Sequence, residues 1–350
     1  MIEDADFLVM ESTYGNRLHM RSENKAKLFI DIVTDTLRQG GTVVIPSFAV
    51  GRTQEILYEL NKIKESDADS PDFDKKYETL MHTPVYVDSP LAISATEVFR
   101  ENMNLFDEDT QELIRRGDNP LEFPGLKFTQ TVDVSKALNE SDESSIIISA
   151  SGMCEVDRIK HHLKHNIWNP KNTILFVGYQ AQGTLGRKIV DGAKTIKIFG
   201  EEVAVNARIE YIEGYSGHAD QEGLLNFIHS FIKKPNHIFL VHGEEEGQKV
   251  LRDKITETTG LPVTIPDYGE TFELTDTVKF SGSSRKDSFK EFKKLEVIDR
   301  METLKEELVD MESIVKEDIL ANTVNDEEIS RLNERIKALE KQIVEIVENK

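Results

Sequence analysis

Cysteine is almost missing from this sequence: Cys154 stands alone among 350 residues. One thiol makes no disulfide framework, and it fits a reducing, cytoplasmic compartment. A Cys-x-x-Cys zinc site is excluded as well, so any metal must be held mainly by histidine and carboxylate groups. Long apolar runs are missing too, and residues 1–20 have no basic-then-apolar leader, so no membrane association is expected. Positive charge is in deficit: 43 Lys and Arg against 64 Asp and Glu leave a net charge of −21. Non-specific nucleic-acid binding needs cations that neutralise phosphates, so any contact of that kind must come from a local site. Part of the acidity lies at the C-terminal end, where residues 286–350 hold 18 acidic and 12 basic groups. No Gly-x-Ser-x-Gly elbow occurs, which leaves a serine triad without a seat.

What is present is alternation. Short apolar runs recur at Phe7–Met10, Thr42–Ile45, Val85–Val87, Ile146–Ile148, Ile174–Val177, Ile209–Ile212 and His237–Val241. Helix-like stretches such as Arg52–Lys64, Leu91–Met103, Asp157–His165 and Glu222–Ile232 lie between them. This β–α alternation predicts an α/β fold with a largely parallel sheet covered by helices. Ser66–Met81 is acidic and aperiodic and reads as a loose surface insertion. Ser281-Gly282-Ser283-Ser284 reads as a linker to a helical tail over 286–350. In that tail Ile329, Leu332, Ile336, Leu339, Ile343 and Ile346 form a 3,4-spaced seam, either a helix packed on its own domain or a short coiled coil.

The segments after the strands repeat a theme of small, polar and hydroxyl residues: Glu11–Gly15, Pro46–Arg52, Asp88–Pro90, Ser149–Met153, Gly178–Thr184 and His242–Glu244. In open parallel sheets ligands bind at the carboxyl ends of strands, so this set predicts a functional crevice. Gly178, Gly183 and Gly186 match neither a dinucleotide fingerprint nor a P-loop.

Glu11, His218 in Ser216-Gly217-His218-Ala219-Asp220, and His242 in Val241-His242-Gly243-Glu244 stand out as carriers of chemistry. Each alone has an ordinary reading as a helix cap or a packed histidine. Taken with Asp6–Arg17, Ser149–Met153, Gly178–Leu185 and Leu240–Glu244, in that order, they resemble the β-CASP branch of the metallo-β-lactamase-fold RNA-processing nucleases. The resemblance covers about residues 1–275. It implies an incomplete metallo-β-lactamase (αββα-type) domain interrupted by an inserted parallel α/β β-CASP domain. Residues 1–20 would be the last strand before the insertion, 21–203 the β-CASP domain, 204–280 the return of the first domain, and 286–350 the tail.

It further implies that His242 is a zinc ligand and that His218 stands near the scissile phosphate as general acid. Glu11 would orient His218, and a carboxylate neighbour favours imidazolium, the form able to donate a proton. Ser149, Ser151, Gly152, Ser216 and the Gly178–Thr184 loop would line the RNA path. Gly183-Thr184 would open a helix whose N–H groups hold a phosphate.

The family's upstream His-x-His-x-Asp-His motif is not in the chain, where no His-x-His occurs at all. His242 alone cannot hold a two-zinc centre, which needs several ligands. His161 and His165 have the i,i+4 spacing of helical zinc sites but lack the accompanying Glu, and a surface or cleft-lining role fits them better. The expectation is therefore part of a zinc-dependent ribonuclease, catalytically incomplete as it stands. The expected partners, besides RNA, are a missing N-terminal half that carries the zinc motif or a second copy of the chain in a homodimer. The alternative is a non-catalytic RNA-binding or scaffold subunit.

Overall fold

Val43–Pro46, Ile146–Ser149 and Thr173–Phe176 are buried at every residue, as strands covered on both faces must be. In the computed structural model they form the middle of a six-stranded sheet. Its spatial order is Arg208–Tyr211, Thr173–Phe176, Val43–Pro46, Ile146–Ser149, Val85–Val87, Leu126–Phe128, and all neighbours run parallel. The structure describes residues 2–19, 22–64, 74–212, 214–275 and 278–283, with single positions at 330, 334 and 337. Contacts divide the chain into two units, Met1–Gly282 and Ser283–Lys350, and this sheet lies wholly in the first.

Side-chain alternation along the strands sends residues to opposite faces. Ile45, Ile146, Ile148 and Leu175 join Phe29, Ile56, Leu57 and Leu60 of helices Ser22–Arg38 and Arg52–Lys64 in one core. Val44, Ile147, Ile174 and Phe176 join Ile159, Leu163 and Ile189 of helices Ile159–Asn166 and Leu185–Val190 in the other. Helices thus cover both faces, and the loops after the strands are left at one rim.

A second parallel sheet carries Phe7–Glu11, His237–Val241 and Val263–Thr264, with His237–Val241 in the middle. Met10, Ile238 and Leu240 pack against Leu224, Ile228, Leu251 and Ile255 of helices Gln221–His229 and Glu245–Thr259. The register sets Glu11 opposite Val241. The chain therefore leaves both strands side by side, and Ser12–Gly15 meets His242–Glu244.

Several expectations change. The helix expected to run to Ile232 ends at His229, and Phe231–Lys233 is a strand paired in parallel with Ile2–Asp4. Within Ser66–Met81, positions 66–73 lie outside the described residues, but Glu78–His82 is a helix with Leu80 fully buried. Ser281–Ser283 end the strand Val278–Ser283, paired with Glu270–Leu274, and the boundary between the two units falls within this expected linker, after Gly282. Arg208–Tyr211 hydrogen-bonds into the six-stranded sheet as its edge strand. The tail's apolar seam lies outside the described residues, Ile336 included.

Candidate metal centre and nucleic-acid crevice

At the shared exit of the second sheet, Glu11, His218 and His242 each offer a ligand atom, all within 4.8 Å of one another. His218 Nδ1 lies 3.2 Å from Glu11 Oε1. The His218 and His242 rings stack with centroids 5.1 Å apart and planes at 29°. Among the described residues this is the one metal-capable group of histidine and acidic side chains.

Local structure holds each member. Glu11 accepts the Thr13 N–H at 2.9 Å and the Ala219 N–H at 3.1 Å, which joins the first strand to the 216–220 turn. Burial works to raise the Glu11 carboxyl. The Thr13 side chain and backbone, the charge of His218 and the Ala219 N–H outweigh it and keep the group below the usual carboxylate range. Ser216 Oγ accepts the His218 N–H, and His19 Nε2 lies 2.8 Å from the His218 carbonyl. His19 also donates its backbone N–H to Asp220 and packs edge-on to Tyr14 at 4.8 Å. Its sequence context signals none of this.

His242 sits at φ 50°, in the left-handed region, a conformation costing about 1 kcal/mol for a non-glycine residue. Its neighbours impose it: Ser12 Oγ donates to the Val241 carbonyl at 2.7 Å, and Thr13 Oγ1 lies 3.1 Å from His242 Nδ1. A Cβ on residue 243 would lie 2.6 Å from Ser12 Oγ and 2.7 Å from its carbonyl oxygen, so the close approach of the two loops requires Gly243. Nδ1 of the exposed His242 is engaged by Thr13, which leaves Nε2 as its other ring nitrogen.

The crevice at the rim of the first sheet differs in part from expectation. Ser149 is 1% exposed and donates to the Asp88 carbonyl at 2.7 Å, so it shapes the floor and does not face a ligand. Gly152 is buried against the ring of Phe48, whereas Ser151 is half-exposed. Thr184 does cap a helix, with Oγ1 accepting the Arg187 N–H. The Leu185 N–H donates to Glu155 and the Gly186 N–H to the Met153 carbonyl. These three donors of the first turn are satisfied internally, and a carboxylate holds the place assigned to a phosphate. Gly183, at φ 91°, serves the turn. A Cβ on residue 186 would lie 1.9 Å from Gln180 Oε1, so Gly186 makes room for the amide that ties the Gly152 and Gly178 carbonyls together.

Two further clusters escape sequence reading. Asp88 is fully buried and accepts from Arg158 at 2.6 Å and Ser135 at 2.5 Å, with His162 Nε2 at 2.6 Å. His162 Nδ1 faces Asn139 at 2.7 Å. His162 is thus a buried strut, and His161 packs on Phe199 at 4.5 Å. Tyr179 donates to Glu244 at 2.7 Å and Arg187 reaches the same carboxylate oxygen at 3.0 Å, so the Gly178–Arg187 loop is tied to the loop carrying His242.

The donor set fits a metal in part. His242 offers one ring nitrogen where zinc takes three or four protein donors. The Glu11 oxygens are engaged by N–H groups, and His218 Nδ1 is engaged by Glu11. A metal here would take His242 and further donors from outside this cluster.

Residues 53–189 match the Beta-Casp domain, and residues 202–266 match the Zn-dependent metallo-hydrolase RNA specificity domain. The chain belongs to the β-CASP family of metallo-β-lactamase-fold RNA nucleases. It is 37% identical over 266 residues to Ribonuclease TTHA0252 of Thermus thermophilus, covering 76% of this chain and 58% of that protein. An RNase J-like protein of Methanocaldococcus jannaschii is 32% identical over 270 residues, 77% of this chain and 59% of that protein. The transcription termination factor FttA of Pyrococcus abyssi is 32% identical over 275 residues, 76% of this chain and 40% of the factor. The chain thus spans less than two thirds of the length of each. No helix among the described residues is long and apolar enough to cross a membrane.

Proposed function

We propose that the chain is part of a cytoplasmic zinc-dependent ribonuclease that hydrolyses RNA phosphodiesters, and that it is catalytically incomplete without the donors that complete the metal centre. The observation that carries this reading is the alignment of Glu11, His218 and His242 at one strand exit, 3.2 Å apart for the first pair and stacked at 5.1 Å for the second. When bound, zinc supplies an activated hydroxide and offsets phosphate charge. His242 Nε2 is the ligand this chain contributes. His218, held through Nδ1 by Glu11, turns its other nitrogen outward as the general acid toward the leaving oxygen. The Glu11 carboxylate keeps that ring in place and compensates the charge it carries while the proton is available. The rim of the parallel sheet, with Ser151 half-exposed and Phe48 exposed, receives the RNA strand.

His218→Ala, tested in a form completed by the zinc-binding half, is expected to slow cleavage by about 10²- to 10⁴-fold. RNA affinity should stay within about twofold, because a group acting only in the transition state contributes little to ground-state binding. Equal loss of both refutes the role.

A further inference from the structure

Phe48 lies in the loop after Val43–Pro46, a middle strand of the six, and the residue is 44% exposed. The residue is fixed, not loose: its carbonyl accepts the Thr53 N–H at 3.2 Å and Thr53 Oγ1 at 2.8 Å, and the preceding Ser47 is 1% exposed. The ring borders the loops of both adjacent strands. A Cβ on residue 152 would lie 3.1 Å from Phe48 Cε2, and one on residue 178 would lie 3.4 Å from the same atom. Glycine at both places gives the ring its seat and adds no side chain over it.

The ring also lies beside the residue that precedes a line of ring contacts leading to the candidate metal centre. Phe48 abuts Gly178; the next residue, Tyr179, meets Tyr14 edge-on at 5.8 Å; Tyr14 meets His218 at 6.5 Å; His218 stacks on His242 at 5.1 Å. Electrostatics favours a neutral means of holding a nucleic acid here. Four cations among the described residues are engaged internally: Arg52 and Lys25 by Glu55, Arg158 by Asp88, and Arg187 by Asp191 and Glu244. Base–aromatic stacking needs no cation and accepts any base.

We propose that Phe48 is the stacking platform for one nucleobase of a single-stranded RNA lying along the crevice; this rests on the ribonuclease reading above. The 350-residue chain would be titrated with a fluorescent single-stranded RNA and with a set carrying one abasic ribose at each position in turn. One abasic position is expected to weaken binding by about tenfold. Phe48→Ala should weaken the intact RNA by a similar factor and abolish the penalty at that position alone. Phe48→Trp should retain it, whereas Phe48→Leu, still apolar, should not. RNA binding with the same abasic profile in wild type and Phe48→Ala overturns the stacking role and leaves the ribonuclease reading standing. No RNA binding by the wild-type chain overturns both. Unchanged RNA affinity with altered self-association in Phe48→Ala would assign the ring to a protein contact and overturn the proposal.

Discussion

The Glu11 carboxylate faces two ways: Oε1 lies 3.2 Å from His218 Nδ1 and accepts the Ala219 N–H, while Oε2 accepts the Thr13 N–H. One side chain thus orients the histidine and fastens its turn to the first strand. Glu11→Gln keeps the shape, removes the charge and leaves one acceptor oxygen where the carboxylate has two. It is expected to lower cleavage by the completed enzyme by about 10²-fold with RNA affinity unchanged, as single-turnover rates and binding titrations would read. Wild-type cleavage in that variant would remove Glu11 from the mechanism.

Gly243→Ala is expected to destabilise the chain by about 1–3 kcal/mol, since a Cβ there strikes both the side chain and the backbone of Ser12. Denaturant midpoints would show it. The same substitution displaces the His242 loop, so metal affinity should fall even under conditions where the protein remains folded.

Asp88 gives a pH signature. Burial acts to raise its carboxyl, but His162, Ser135 and Arg158 outweigh that and hold it below the ordinary range. A depressed folded-state value means stability that is complete above the unfolded Asp value of about 3.9 and is lost as pH falls through the folded value. Asp88→Asn should cost about 3–5 kcal/mol at neutral pH, because it leaves the buried partners uncompensated. It should also flatten that acid limb, measured as denaturant midpoint against pH.

The Tyr179–Glu244 contact, 2.7 Å long, is expected to show a coupling of about 1 kcal/mol in a double-mutant cycle of Tyr179→Phe and Glu244→Gln. Burial, followed by the hydrogen bond and charge of Glu244, pushes the Tyr179 phenol up to about 12. Alkaline absorbance titration should therefore find this tyrosine ionising earlier once Glu244 is neutralised. No coupling and no change in titration would deny the link between the two loops.

The sequence revealed the strands because buried parallel strands are continuous runs of Val, Ile and Leu, and each expected strand lies within a residue or so of the observed one. Glu11 and His242 were legible as strand-exit residues and His218 through the Ser216–Asp220 segment that carries the family resemblance, and the parallel register accounts for the meeting of Glu11 with the His242 loop. Phe231–Lys233 was not legible, because its partner Ile2–Asp4 lies far away in the sequence and the local pattern continued a helix. Asp88 looked like a crevice polar group. Only the fold shows it buried against His162, since their pairing is set by crossovers between strands. The same holds for His19, whose bond to the His218 carbonyl spans 199 positions.

Whether Glu11, His218 and His242 form one part of a zinc ribonuclease site can be decided by following binding and cleavage of one labelled single-stranded RNA in zinc by two proteins. One is the 350-residue chain; the other is the same chain joined to a zinc-binding half bearing His-x-His-x-Asp-His. If the three residues act together as described, both proteins bind and only the joined form cuts. His218→Ala then abolishes cutting without releasing the RNA. Cutting that survives His218→Ala at the full rate, or a joined form that binds zinc and RNA and never cuts, would contradict that assignment.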